Sequence, residues 1–303
     1  MSGTDEVAQS AGSTGSTGPS GSTGPTAWQG AMGQKWARHL EAMEAQCAIG
    51  LTLGLAALAP ARGERVLDIG CGGARTTRAI AEAVGAEGRV LGLDISPDLV
   101  PEARAHLSGL SQAEVMLADA GAHPLEPGGW DAIFSRFGVM FFDDPPATFR
   151  ALHGALRPGG RAVMVVHGAR GASPWAMLPM AAAAEVLGPP EPSPPGAPGP
   201  FGWESPEIFV PILEAGGFAE IGWETHPVEM PMGVGLAEDP VEAALLLIRQ
   251  LGSVARWLAT MEEAAADRAW AEIAERLRPA LAAKVQDGAV SLGGQLHVIT
   301  ARA

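Results

Sequence analysis

Asp68, Asp94 and Asp119 each stand in or at the end of an apolar run: VLDI, VLGLD and VMLAD. Acids placed this way at successive strand ends share the carboxyl edge of a parallel sheet, where open α/β folds bind ligands. The first acid is followed by Gly70-Cys71-Gly72-Gly73-Ala74. One glycine satisfies a tight strand-to-helix turn, because positive φ is sterically free for it. Three within four residues exceed that need and let the backbone press against a ligand. Counted from Gly70, the sixth place is Arg75, so the dinucleotide pattern G-x-G-x-x-G is not met. No Gly-Lys-Ser/Thr follows either, which excludes a Walker loop. The pattern that fits is an acid inside the strand before the glycines, [D/E]-x-G-x-G-x-[G/A].

These residues need a sheet to hold them, and the surrounding pattern predicts one. Strands are expected over RVLDI (65–69), RVLGLD (89–94), EVMLAD (114–119), WDAIFSRFG (130–138) and RAVMVVH (161–167). Between them, ARTTRAIAEAVG reads as a helix closing at Gly85. SPDLVPEARAHL starts one with Ser96 as N-cap and Pro97 in the first turn, although Pro101 delays its regular part. PPATFRALHGALRPGG reads as a helix stopped by Pro158 and the glycines after it. Strands alternating with helices of this length imply parallel pairing in a doubly wound α/β sheet. Later, FAEIGWETHPVEM (218–230) and GQLHVITARA are expected as strands, with residues 239–286 strongly helical between them. Residues 1–26 are rich in Ser, Thr and Gly and predict a tail that buries too little apolar area to order itself. Residues 27–60 predict an N-terminal helical cap, with Trp36, Leu40 and Met43 on one side. Residues 61–303 then form the main domain, with helical lid insertions at about 171–215 and 235–290.

The acid-glycine stretch resembles motif I of class I S-adenosylmethionine (SAM)-dependent methyltransferases. Asp94 and Asp119 stand where that family keeps its other two acids, and SRFGVMFF and ALRPGG fall where its fourth strand and following helix end. The resemblance is specific over roughly residues 60–168. Trp28-x-Gly30-x-x-Gly33-x-x-Trp36, SRFGVMFFDDP and PGPF (198–201) resemble a bacterial small-molecule subgroup of the broad ubiquinone/menaquinone-type clan. It implies a seven-stranded, mostly parallel, Rossmann-like sheet, with SAM as cofactor and S-adenosylhomocysteine as product. By this resemblance Asp68, Gly70, Cys71 and Gly72 would seat the methionyl end. Asp94, with Ile95 beside it, would bind the ribose hydroxyls, since a carboxylate accepts from both members of a diol. Asp119 and Ala120 would meet the adenine, and Ser135 would complete the cofactor set. Ala74 departs from the pattern at the third glycine place, tolerable if the helix starts there.

The rest of the composition limits the partners. The formal net charge is −14 with no basic stripe, which disfavours nucleic acid and anionic membrane surfaces. No apolar stretch reaches the length of a bilayer span, no secretory leader is evident, and Cys47 and Cys71 suggest neither a disulfide nor a metal. A cytoplasmic protein, monomer or homodimer, is the expected setting. A small-molecule acceptor in an enclosed apolar pocket is favoured, walled by a subset of Trp28, Trp36, Met140, Phe141, Phe142, Trp175, Met177, Met180, Phe201 and Trp203. His167, ending the fifth strand, is the candidate base or acceptor-orienting group. Arg136 is the candidate holder of a carboxylate, on the acceptor or on SAM, unless it pairs with Asp143 or Asp144. His123, His153, His226 and His297 are expected to be structural or exposed. The alternatives are a quinone-type C-methyltransferase and a SAM- or metabolite-binding protein without turnover.

Overall fold

Strand β1 (Arg65–Ile69) is buried at every position after Arg65, as a central parallel strand covered on both faces must be. In the computed structural model, which describes residues 24–303, it pairs in parallel with β2 (Arg89–Asp94) on one side and β4 (Trp130–Arg136) on the other. Strand β3 (Ala113–Leu117) extends the sheet beyond β2, and β5 (Leu156–His167) extends it beyond β4. Strands β6 (Ala219–Met232) and β8 (Ala289–Arg302) close the far side antiparallel, giving the order β3-β2-β1-β4-β5-β8-β6. The expected seven strands therefore lie on one path. An eighth, the two-residue β7 (Val285–Gln286), pairs with β8. The low-complexity stretch up to residue 23 lies outside the described residues.

Helices cover both faces. In chain order they are α1 (Pro25–Trp28), α2 (Ala31–Arg38), α3 (Leu40–Leu58), α4 (Arg75–Val84), α5 (Leu99–His106), α6 (Pro145–Ala155), α7 (Pro174–Leu187), α8 (Pro206–Ala215), α9 (Pro240–Gln250), α10 (Gly252–Leu258) and α11 (Glu263–Ala282). Helix α3 packs against β4, β5, β6 and β8. Gly54 makes that approach possible: a Cβ there would lie 2.6 Å from the Phe134 ring and 2.8 Å from Val165. Helices α9 to α11 lie between β6 and β8 in the chain, the excursion anticipated from the pattern. Asp239 caps α9, its Oδ1 accepting from the amides of Val241 and Glu242.

Two helix boundaries differ from the sequence reading. Helix α5 starts at Leu99, two residues later than the expected Pro97, yet Ser96 Oγ accepts from the Leu99 amide at 3.4 Å, as a capping side chain does, while its own amide donates to Asp94 Oδ1 at 2.9 Å. Pro101 then falls in the first helical turn, where no intrahelical donor is required. Helix α6 ends at Ala155, three residues before Pro158, because Leu156 already pairs with Trp130.

The turns leaving β1 and β4 meet backbone to backbone. A Cβ on Gly138 would lie 2.7 Å from the Ile69 carbonyl oxygen and 3.0 Å from Gly70 Cα. Neither atom can rotate away as a side chain would. Gly138→Ala is therefore expected to lower the unfolding free energy by about 1–3 kcal/mol, read from urea denaturation. A variant as stable as the parent would show that the two turns are not in register as described.

Candidate functional site

The carboxyl ends of the strands converge at the point where the sheet order reverses between β1 and β4. Gly70 (φ 68°), Gly72 (φ 54°) and Ala74 (φ 61°) all adopt left-handed backbone, and α4 begins at Arg75. Ala74 is thus tolerated at the third glycine place, as the residue before the helix. The Asp94 carboxylate is fixed from two directions. Oδ2 accepts from the Gly72 amide at 2.7 Å and Oδ1 from the Ser96 amide. Burial pushes its pKa up, while the amides of Ser96, Gly72 and Ile95 favour the charged form. Each oxygen retains lone pairs for further donors. The strand ends are tied together as well, since the Ala118 amide donates to the Asp94 carbonyl at 2.9 Å. Asp119 is exposed, and its Oδ1 holds the Gly121 amide at 2.8 Å.

A cavity of about 230 Å³ runs along this edge, and Gly70, Cys71, Gly72, Asp94, Ile95, Asp119 and Ala120 are all on its wall. Asp68 and Ser135 are not. Asp68 is buried behind the turn, where its Oδ2 accepts from Thr77 Oγ1 at 2.7 Å and burial pushes its pKa up to about 7. Ser135 donates to the Ile69 carbonyl at 2.8 Å, tying β4 to β1. The Cys71 side chain packs with Val100, Ala103 and Val115 behind the loop.

The other half of the cavity is apolar. Trp28 contacts both Trp36 and Phe141 edge-on, at centroid distances of 5.3 and 5.1 Å. Met140, Phe142, Trp175, Met180 and Phe201 continue the wall. Two of the aromatic and methionine residues expected there lie elsewhere. Trp203 is fully buried in the core against Phe149, and Met177 is exposed on the outer side of α7.

His167 sits at the junction of the two halves. Its ring stacks on Phe137 (4.5 Å between centroids, 16° between planes) and lies 4.8 Å from Trp175. Phe137 reaches it from a left-handed backbone (φ 61°), an uncommon state for a bulky residue and one that clusters at functional sites. His167 Nδ1 is buried without a hydrogen-bond partner, and burial pushes the imidazole pKa down to about 3. Arg136 pairs with neither Asp143 nor Asp144. Asp144 caps α6 instead, and Arg136 bonds Glu44 at 2.6 Å and the Cys47 carbonyl at 3.1 Å, both on α3. Cys47 shares this wall, but burial pushes its thiol up to about 12, which excludes a thiolate nucleophile. His297 bonds Thr225 and the Glu204 carbonyl through its two ring nitrogens, as a structural histidine does. Glu44 and Gln46 were not anticipated. The only signal for them is polar residues within the otherwise apolar run of α3. Among the described residues no cluster of acids, histidines and cysteines could hold a metal, and no helix is long and apolar enough to cross a membrane.

Residues 66–160 match a family model described as a methyltransferase domain. Over 104 residues the chain is 36% identical to aklanonic acid methyltransferase of Streptomyces sp. (strain C5), covering 34% of this chain and 47% of that protein. Over 102 residues it is 31% identical to demethylmenaquinone methyltransferase of Staphylococcus epidermidis, covering 34% and 42%. The matched segment thus spans less than half the length of either relative. Among solved structures, a Bacillus halodurans protein assigned to the methyltransferases superposes with a TM-score of 0.51 at 19% identity, covering 83% of this chain and 97% of that one. That likeness carries the fold: a Rossmann-like α/β sheet, mostly parallel.

The depressed His167 pKa has a consequence for stability. The unfolded imidazole takes a proton below its ordinary value near 6.5, and the folded one does so only near 3. Stability is therefore lost as pH falls from about 6.5 toward 3. At pH 5 the loss from this group is on the order of 2 kcal/mol relative to pH 8. The stability difference between the parent and His167→Phe, measured by denaturant unfolding, should shift by that amount between the two pH values. A difference independent of pH would refute the buried neutral state.

Proposed function

We propose, from a chain whose residues 66–160 match a methyltransferase-domain model, that the protein moves a methyl group from SAM to a small apolar or aromatic acceptor. The observation that supports this most is the continuity of one cavity from the Gly70–Gly72 turn and Asp94 to an aromatic wall. A fixed carboxylate beside a glycine cradle suits a nucleoside diol, and a largely apolar chamber suits a metabolite. A net charge of −14 disfavours nucleic acid as the acceptor. Two unpaired cysteines agree with a cytoplasmic setting.

In this reading Gly70 and Gly72 receive the methionyl end, Asp94 the ribose and Asp119 with Ala120 the adenine. Bound SAM supplies an electrophilic methyl on a sulfonium. Transfer would join that methyl to the acceptor's nucleophilic atom and leave the carbon–sulfur bond pair on the sulfur of S-adenosylhomocysteine. What the protein contributes is alignment and exclusion of water, worth on the order of 7–11 kcal/mol when well executed. His167 is the orienting group rather than the base. An imidazole with a pKa of about 3 is too weak to take a proton from a phenol or amine near neutral pH. Arg136 holds Glu44 and α3 against the cavity, a positioning role. Asp68 and Ser135 act on the cofactor site from behind, through Thr77 and the β1 carbonyl.

Calorimetric titration separates this reading from a nicotinamide enzyme: S-adenosylhomocysteine should bind and NAD should not. Asp94→Ala should weaken S-adenosylhomocysteine binding about 10–100-fold, the loss expected for hydrogen bonds to a charged group. Unchanged affinity would remove Asp94 from the ribose site, and no binding to the parent would remove the function.

A further inference from the structure

Arg256, on α10, stands at the mouth of an apolar chamber without a counter-ion among the described residues. It lines both the inner cavity and a second, outer groove formed by the proline-rich segment 190–201. Its side chain is half-buried, and the partner it has is the hydroxyl of Ser253, at 2.9 Å. Ser253 also lines both spaces. Glu191 and Glu204 face the outer groove, but neither pairs with Arg256, and Glu204 accepts from the Arg170 amide. The other arginine on the inner wall, Arg136, is already neutralised by Glu44. Burial lowers the Arg256 pKa with no carboxylate to offset it.

A partly desolvated charge with no partner costs free energy, and such groups are held where they meet a ligand of opposite sign. The inner cavity shows further unmet hydrogen-bonding capacity. Gln46 Oε1, His167 Nδ1 and Trp175 Nε1 are all buried without partners, and all three residues are on its wall. Between these polar points lie flat apolar surfaces. Trp175 and Phe201 run nearly parallel, 24° between planes at 5.7 Å, and His167 stacks on Phe137. The wall thus offers stacking surface inside and a positive charge at the rim.

We propose that the methyl acceptor is an aromatic carboxylate, its ring lodged against Trp175 and Phe201 and its carboxylate paired with Arg256, assisted by Ser253. The inference rests on the methyltransferase reading above and narrows its acceptor. A planar guanidinium matches a carboxylate with two parallel hydrogen bonds, which a neutral group of the same shape cannot reproduce. The pairing also sets direction: the anionic end stays at the mouth, and the opposite end of the molecule points past His167 toward the Gly70–Asp94 half.

The test uses 2-naphthoate and 2-naphthamide, alike in shape and different in charge, titrated calorimetrically into the full chain saturated with S-adenosylhomocysteine. In the parent, naphthoate should bind about ten-fold or more tighter than naphthamide, the discrimination expected of a charged hydrogen-bonded pair. R256Q should bring the two probes within about two-fold, and R256K should keep part of the preference. S-adenosylhomocysteine affinity should be equal in all three proteins, which also reports that the variants are folded. Equal binding of the two probes by the parent would overturn the proposal. So would a naphthoate preference that survives R256Q, or failure of both probes to bind. Failure of S-adenosylhomocysteine to bind the parent would overturn the methyltransferase reading instead, and the same probe pair without it still decides the Arg256 assignment.

Discussion

The site depends on one close contact between two glycines, Gly70 leaving β1 and Gly138 leaving β4, with no room for a Cβ between them. Their approach closes the sheet edge where strand order reverses and fixes the start of the turn whose Gly72 amide holds Asp94. On the β4 side, it leaves Phe137 to make the bend in a left-handed conformation, which brings its ring onto His167. Asp94 and His167 are therefore positioned from the two sides of a single backbone contact.

The two halves of the cavity solve opposite electrostatic problems. On the glycine side, Asp94 is kept in place by amides that favour its charge against burial. On the aromatic side, charges are cancelled or removed: Arg136 by Glu44, and His167 by losing its proton. A buried pair such as Arg136–Glu44 gains little net stability, since desolvation consumes much of the attraction. It does connect β4 to α3, tying that helix to the carboxyl edge of the sheet.

Much of the arrangement was legible from residues 65–167, because parallel strands and the turns between them leave strong local signals. Asp68, Gly70, Asp94 and Asp119 were placed at strand ends by their apolar runs alone. The limits are equally local. Asp68 and Ser135 fall on the expected edge, yet they face into the scaffold, since strand position does not report side-chain direction at a bend. Arg136 was read against its sequence neighbours Asp143 and Asp144, whereas its partner Glu44 comes from a helix distant in the chain. The arginine on α10 carries no motif, and only the packing of α7, α10 and the proline-rich loop turns it toward the cavity.

The aromatic inventory gives the site a property of its own. The chain contains eight tryptophans and no tyrosine, so its ultraviolet emission belongs to indole. Trp28, Trp36 and Trp175 all line the cavity. The molecule thus carries a built-in optical reporter, with three of its emitters at the place where occupancy changes their polarity and quenching.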